Sequence, residues 1–255
     1  MELEVCVDSV ASAIASARGG ADRIELCSAL SEGGITPSTG LIHAVRKAVS
    51  IGVYVMIRPR GGDFVYSDLE FEVMKQDILT AKETRADGVV FGILTPDGEV
   101  DMARTQTLVD LARPLKVTFH RAFDVCTDLD RALEAVIATG ADRLLTSGGV
   151  TDALRGVEPI ARIHQRAGSR IRIMAVGGIR ASTVRDFALQ TGVREVHTSM
   201  NTLLQSAEFN GQAELGARQF GSNPFVVKEQ DVRIFKSALQ TIPDLATNTA
   251  KTSGP

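Results

Sequence analysis

Cysteines, a histidine, arginines and carboxylates stand at the ends of short β-branched runs, and they carry the chemistry open to this sequence. Cys6 lies in Glu4-Val5-Cys6-Val7-Asp8, and Cys27 closes Arg23-Ile24-Glu25-Leu26-Cys27. Side chains alternate along a strand. Glu4, Cys6 and Asp8 therefore face away from Val5 and Val7, while Arg23, Glu25 and Cys27 face away from Ile24 and Leu26. Adjacent strands run about 4.8 Å apart, so two thiolates at matched height could share a soft ion such as Cu(I). Either cysteine could equally be a small buried hydrophobe. Cys126, in a later loop, is open to the same two readings. There is no CxxC and no Cys/His cluster of zinc-site spacing.

The richest loop is Arg58-Pro59-Arg60-Gly61-Gly62-Asp63-Phe64. Its two planar guanidinium forks suit a carboxylate or phosphate; alternatively, Arg58 and Arg60 pair with Glu25 and Asp63 and do no more. A later run ends Thr118-Phe119-His120-Arg121. There His120 could move a proton or bind an anion. The runs ending Thr146-Ser147-Gly148-Gly149, Val176-Gly177-Gly178 and His197-Thr198-Ser199 offer small residues that serve phosphate cradles or simple turns. No lysine ends the fifth to eighth runs, which leaves a Schiff-base aldolase without a candidate.

The elements that must position these residues follow a period. Strand-like runs fall at 2–7, 23–27, 53–58, 88–91, 115–120, 143–146, 170–176 and 194–198. Helical patterns separate them at 9–18, 37–49, 67–85, 101–111, 128–139, 152–167, 181–190 and 229–239, several opening on a Ser or Asp suited to an N-cap. Eight βα units in 255 residues predict an α/β fold, a single (β/α)8 TIM-like barrel. Gly20-Ala21-Asp22-Arg23 recurs as Gly140-Ala141-Asp142-Arg143, an echo that fits two similar half-barrels. Sites in such barrels lie at the C-terminal strand ends. We therefore expect Glu4, Arg23 and Lys116 to form an ion network near the bottom and the upper polar residues to form a ligand site. One domain over residues 1–246 is expected, with a polar tail at 247–255 and an irregular segment at 201–224 that could cap the mouth or mediate assembly.

Composition narrows the function classes. Lys+Arg 28 against Asp+Glu 31 gives a net charge of −3, without the basic stripe of a nucleic-acid binder. No apolar run approaches the roughly 18 residues of a membrane span, and the acidic start Met1-Glu2-Leu3-Glu4 does not read as a secretory leader. Three cysteines suit reduced thiols in a cytoplasmic protein.

Together, Glu4-Val5-Cys6-Val7-Asp8-Ser9, Gly19-Gly20-Ala21-Asp22-Arg23-Ile24-Glu25-Leu26-Cys27, Glu32-Gly33-Gly34 with Thr36-Pro37-Ser38, Ile57-Arg58-Pro59-Arg60-Gly61-Gly62-Asp63-Phe64 with Tyr66-Ser67-Asp68, and Thr118-Phe119-His120-Arg121-Ala122-Phe123-Asp124 resemble the CutC family. Leu145-Thr146-Ser147-Gly148 and Val196-His197-Thr198-Ser199 fit it too, so the resemblance spans about residues 2–200 and says little of 201–255. It implies a TIM-like barrel, a cytoplasmic homo-oligomer, and a role in copper homeostasis with Cu(I) held by Cys6 and Cys27. The residues themselves support a second expectation, an enzyme acting on a small anionic metabolite. In it Arg58, Arg60, Asp63 and Arg121 bind the substrate, and Glu25 or His120 moves the proton. A third expectation is that the charges are structural and the working surface lies elsewhere.

Overall fold

The eight expected strands form and pair parallel, each with the next in sequence, until the eighth closes on the first. In the computed structural model these are β1 (Glu2–Val7), β2 (Arg23–Leu26), β3 (Gly52–Met56), β4 (Gly88–Phe91), β5 (Lys116–Phe119), β6 (Arg143–Thr146), β7 (Arg172–Val176) and β8 (Glu195–Thr198). The helices are α1 (Val10–Gly19), α2 (Thr39–Ala48), α3 (Asp68–Glu83), α4 (Met102–Ala112), α5 (Leu129–Ala138), α6 (Val157–Ala167), α7 (Val184–Thr191) and α8 (Glu229–Gln240). This is a single (β/α)8 TIM barrel. Residues 1–203 and 225–243 are described; most of the 201–224 segment and all of the 247–255 tail lie outside them. A further antiparallel pair, β9 (Asn201–Leu203) with β10 (Phe225–Val227), follows β8. Among the described residues no helix is long and apolar enough to cross a membrane.

Local chemistry sets the helix starts. Ser9, Ser38, Asp101 and Asp128 each accept a backbone N–H from the first turn, and Ser67 with Glu70 closes a capping box before α3. An Asp before β2, β4 and β6 ties the barrel together. Asp22, Asp87 and Asp142 accept from the backbone N–H of Leu3, Val53 and Val117 at 2.7, 2.8 and 2.9 Å. The outer faces of the strands pack Val5, Ile24, Leu26, Val55, Phe91 and Phe119 against the helices, all fully buried. This layer, between sheet and helices, is the main core.

The interior of the barrel differs. At its floor, Arg23 donates to Glu4, Glu2 and Glu195 at 2.6 Å each, and Arg143 pairs with Glu195. Both guanidinium groups lie over the ring of Tyr54, 5.6 and 5.4 Å from its centroid. The opposite residue is Gly88, where any Cβ would collide with that ring. The floor network expected for Glu4 and Arg23 is present, but Lys116 is not in it. Lys116 opens the short strand β5, is mostly exposed, and pairs outward with Asp142 at 2.9 Å. Arg143 and Glu195, first residues of β6 and β8, supply the remaining charges instead.

Candidate functional site

Strands β2, β3 and β5 end one or two residues sooner than the sequence pattern suggests. Cys27, Arg58 and His120 therefore sit just past the strand ends, at the barrel mouth. Residues in register on parallel neighbours face the same side, and this brings one cluster together. Cys6 is level with Glu25 across β1 and β2, while Glu4 is level with Arg23 on one side and His197 on the other. The sulfurs of Cys6 and Cys27 lie 3.8 Å apart, and Glu25 Oε2 is 3.5 Å from the Cys27 sulfur. His197 bonds Glu4 Oε1 through Nδ1 at 2.8 Å, and its Nε2 lies 3.8 Å from Glu25 Oε2. Cys6, Glu25, Cys27 and His197 are all buried.

The electrostatics follow from that crowding. Contact with Cys27, helped by His197 and opposed by burial, lowers the Cys6 thiol to about 5, while Cys27 is pushed well up by the same contact and by burial. Burial and the adjacent Cys6 raise Glu25 well above the usual carboxylate range. Burial also disfavours charge on Glu4 and His197, but it is overcome in both. Arg23 and His197 hold Glu4 at about 2, and Glu25, Cys6 and Glu4 lift His197 well above its ordinary value. Glu25 Oε1 has no hydrogen-bond partner among the described residues.

Above the cluster opens a cavity of about 1140 Å³, reached by Cys6, Glu25, Arg58, His120, Arg121 and His197. The arginines in it are largely committed. Arg58 spends Nη1 on the carbonyls of Glu32 and Gly34 and Nη2 on that of Gly62, and so staples the loops after β2 and β3. Arg121 donates to Asp124 and Ser147 at 2.9 and 2.8 Å. Asp124 in turn accepts from Thr146, Ser147 and Gly149, joining the loops after β5 and β6. Arg60 and Asp63 do not line the cavity; they pair with each other at 3.0 Å, and Arg60 also pairs with Glu70 at 2.5 Å. Cys126 is half-buried behind Ala122, away from the other two thiols, and burial raises it to about 11.

His120 is buried and neutral, lowered to about 3 by desolvation and by Arg58. Its Nδ1 accepts from the Ala122 N–H at 3.2 Å, which leaves the proton on Nε2. That N–H has no partner among the described residues. His197 is the residue that sequence reasoning passed over as part of a small-residue strand end. Its signal was there: Glu195 and His197 share a face of the last strand, and that strand must close against the first.

Fold and site together define a (β/α)8-barrel protein with a buried dithiol cluster at the C-terminal end of its barrel. The chain belongs to the CutC family, which it matches over residues 1–202. It is 47% identical over 231 residues to a human protein named copper homeostasis protein cutC homolog, covering 90% of this chain and 85% of the relative. A CutC family protein of Chromobacterium violaceum is 42% identical over 240 residues, 93% and 97% of the two chains. The crystal structure of a CutC from Streptococcus agalactiae matches with a TM-score of 0.74 at 34% identity, covering 77% of this chain and 97% of that one.

Proposed function

We propose that this protein acts in copper homeostasis, as a cytoplasmic homo-oligomer that holds Cu(I) between Cys6 and Cys27. The observation that carries this reading is the 3.8 Å separation of two buried sulfurs under an open cavity. Two metal–sulfur bonds of about 2.3 Å each can bridge such a gap, and thiolates are the donors that select Cu(I) over harder ions. The donor set fits in a second respect. The Cys6 thiol is lowered by its contact with Cys27, and Glu25 Oε1 is a buried acceptor left without a partner among the described residues. The human relative's name points the same way. Anaerobic titration of the reduced protein with Cu(I), against a competing chelator, is expected to give tight one-to-one binding that Cys6→Ser/Cys27→Ser abolishes. Binding unchanged by the double substitution would make the thiols ordinary interior residues.

A second reading, an enzyme for a small anionic metabolite, is favoured by one specific observation. The cavity is far larger than an ion needs, and it is lined by His120, whose buried Nε2–H has no partner among the described residues. Arg180, exposed on the cavity lining and without an ionic partner among the described residues, would supply the charge. Arg58 and Arg121 would shape the walls, and Glu25 would be the proton carrier. Under this reading phosphate or sulfate raises the melting temperature, and His120→Ala removes the effect. No shift with either anion would count against it.

A further inference from the structure

We infer that His197 is a third protein ligand of the metal site, binding through Nε2, and that Glu4 is the residue that positions it. This rests on the Cu(I) reading above and extends it to a ligand of a different chemical type. The case begins with register. Closure of the barrel makes Glu4 and His197 direct partners across β1 and β8, one step below the Cys6–Glu25 pair. With Nδ1 bonded to Glu4 at 2.8 Å, the ring has one orientation, and Nε2 faces up toward Glu25.

A chain of short separations follows. Nε2 is 3.8 Å from Glu25 Oε2, which is 3.5 Å from the Cys27 sulfur, which is 3.8 Å from the Cys6 sulfur. Two overlapping groups, Cys6 with Glu25 and Cys27, and Glu4 with Glu25 and His197, each bring their ligand atoms within 4.8 Å of one another.

A simple ion pair with Glu4 would explain the Nδ1 contact. It does not explain why the other edge of the ring is turned to Glu25, the carboxylate that reaches the Cys27 sulfur. Histidines that ligate metals almost always donate the second ring N–H to a carboxylate or carbonyl, which fixes tautomer and orientation. Glu4 does this for His197, and Glu4 is itself immobilised by Arg23 at 2.6 Å. Arg23 is then locked by Glu195 and Glu2, both at 2.6 Å. The floor network thus continues into the mouth through one carboxylate.

Cu K-edge X-ray absorption on the Cu(I)-loaded wild-type protein reads the ligands without any substitution. Two sulfurs and one nitrogen, with the multiple scattering of an imidazole, are expected. A sulfur-only first shell overturns the inference and leaves the cysteine reading standing; absence of Cu(I) binding overturns both. His197→Gln is expected to weaken Cu(I) about 10- to 100-fold in chelator competition and to remove the nitrogen scatterer. Glu4→Gln should weaken binding by about 10-fold and reduce the nitrogen scatterer in the Cu(I) first shell while both sulfurs remain, a change that a merely structural Glu4 would not produce. Wild-type affinity in a folded His197→Gln protein overturns the assignment.

Discussion

The floor and the mouth of this barrel are built from the same kinds of residue, buried arginines and carboxylates, yet they differ in what is left over. At the floor every charge is answered: Arg23 faces three carboxylates, and Glu195 faces Arg23, Arg143 and Arg172. At the mouth, Glu25 Oε1, Arg58 Nε and His120 Nε2 are buried without partners among the described residues. Buried polar groups are costly unless paired. The lesson is that a closed ion network is a structural element, whereas unspent hydrogen-bonding capacity beside a cavity marks the place for a ligand.

The hardest test of that contrast is to break the floor. Arg23→Met strands the buried carboxylates of Glu4 and Glu195, and it is expected to cost about 3–5 kcal/mol in denaturant melts. A loss below about 1 kcal/mol would mean that the network is dispensable.

Next comes pH, where the two buried histidines run in opposite directions. The folded pKa of His120 is about 3, below its ordinary 6.5, so its contribution is complete above pH 6.5 and is lost as pH falls toward 3. By pH 5 that loss is about 2 kcal/mol. His197 is raised, so its contribution is complete below pH 6.5 and is lost as pH rises through its folded value. Urea melts from pH 7 to 5 should be flatter for His120→Gln than for the wild type; equal slopes would contradict the burial argument.

Two smaller effects sharpen the comparison. Burial and Cys6 raise Glu25 well above the usual carboxylate range, which favours the neutral form that Gln resembles, so Glu25→Gln should change stability by less than about 1 kcal/mol. A cost as large as that of Arg23→Met would make Glu25 a floor residue in all but position. Arg60 lies outside the cavity in a half-exposed pair with Asp63 and Glu70, and Arg60→Ala is expected to cost no more than about 1 kcal/mol.

Much of this was legible in the sequence, for physical reasons that can be named. Strand alternation put Glu4, Cys6, Arg23 and Glu25 on the inner face, and the structure has them there. The repeated Gly-Ala-Asp-Arg already made Arg143 the counterpart of Arg23, so the floor could have been written as Arg23 with Arg143 rather than with Lys116. Alternation also put His197 on the inner face beside Glu195, but it cannot give register at barrel closure, so the partnership of His197 with Glu4 appears only once β8 pairs with β1. Nor can it say how a guanidinium spends its donors: Arg58 and Arg60 look alike in sequence, yet one staples two loops from inside the cavity and the other pairs outside it.

The measurement that tests the central claim most directly is the anaerobic melting temperature of the reduced protein with and without Cu(I), beside Cys6→Ser/Cys27→Ser. If the mouth is the working site, Cu(I) at about 100 times its Kd stabilises the wild type by about 2.7 kcal/mol, and the melting temperature of the double variant does not move. Equal shifts in both proteins, or none in either, would contradict the claim.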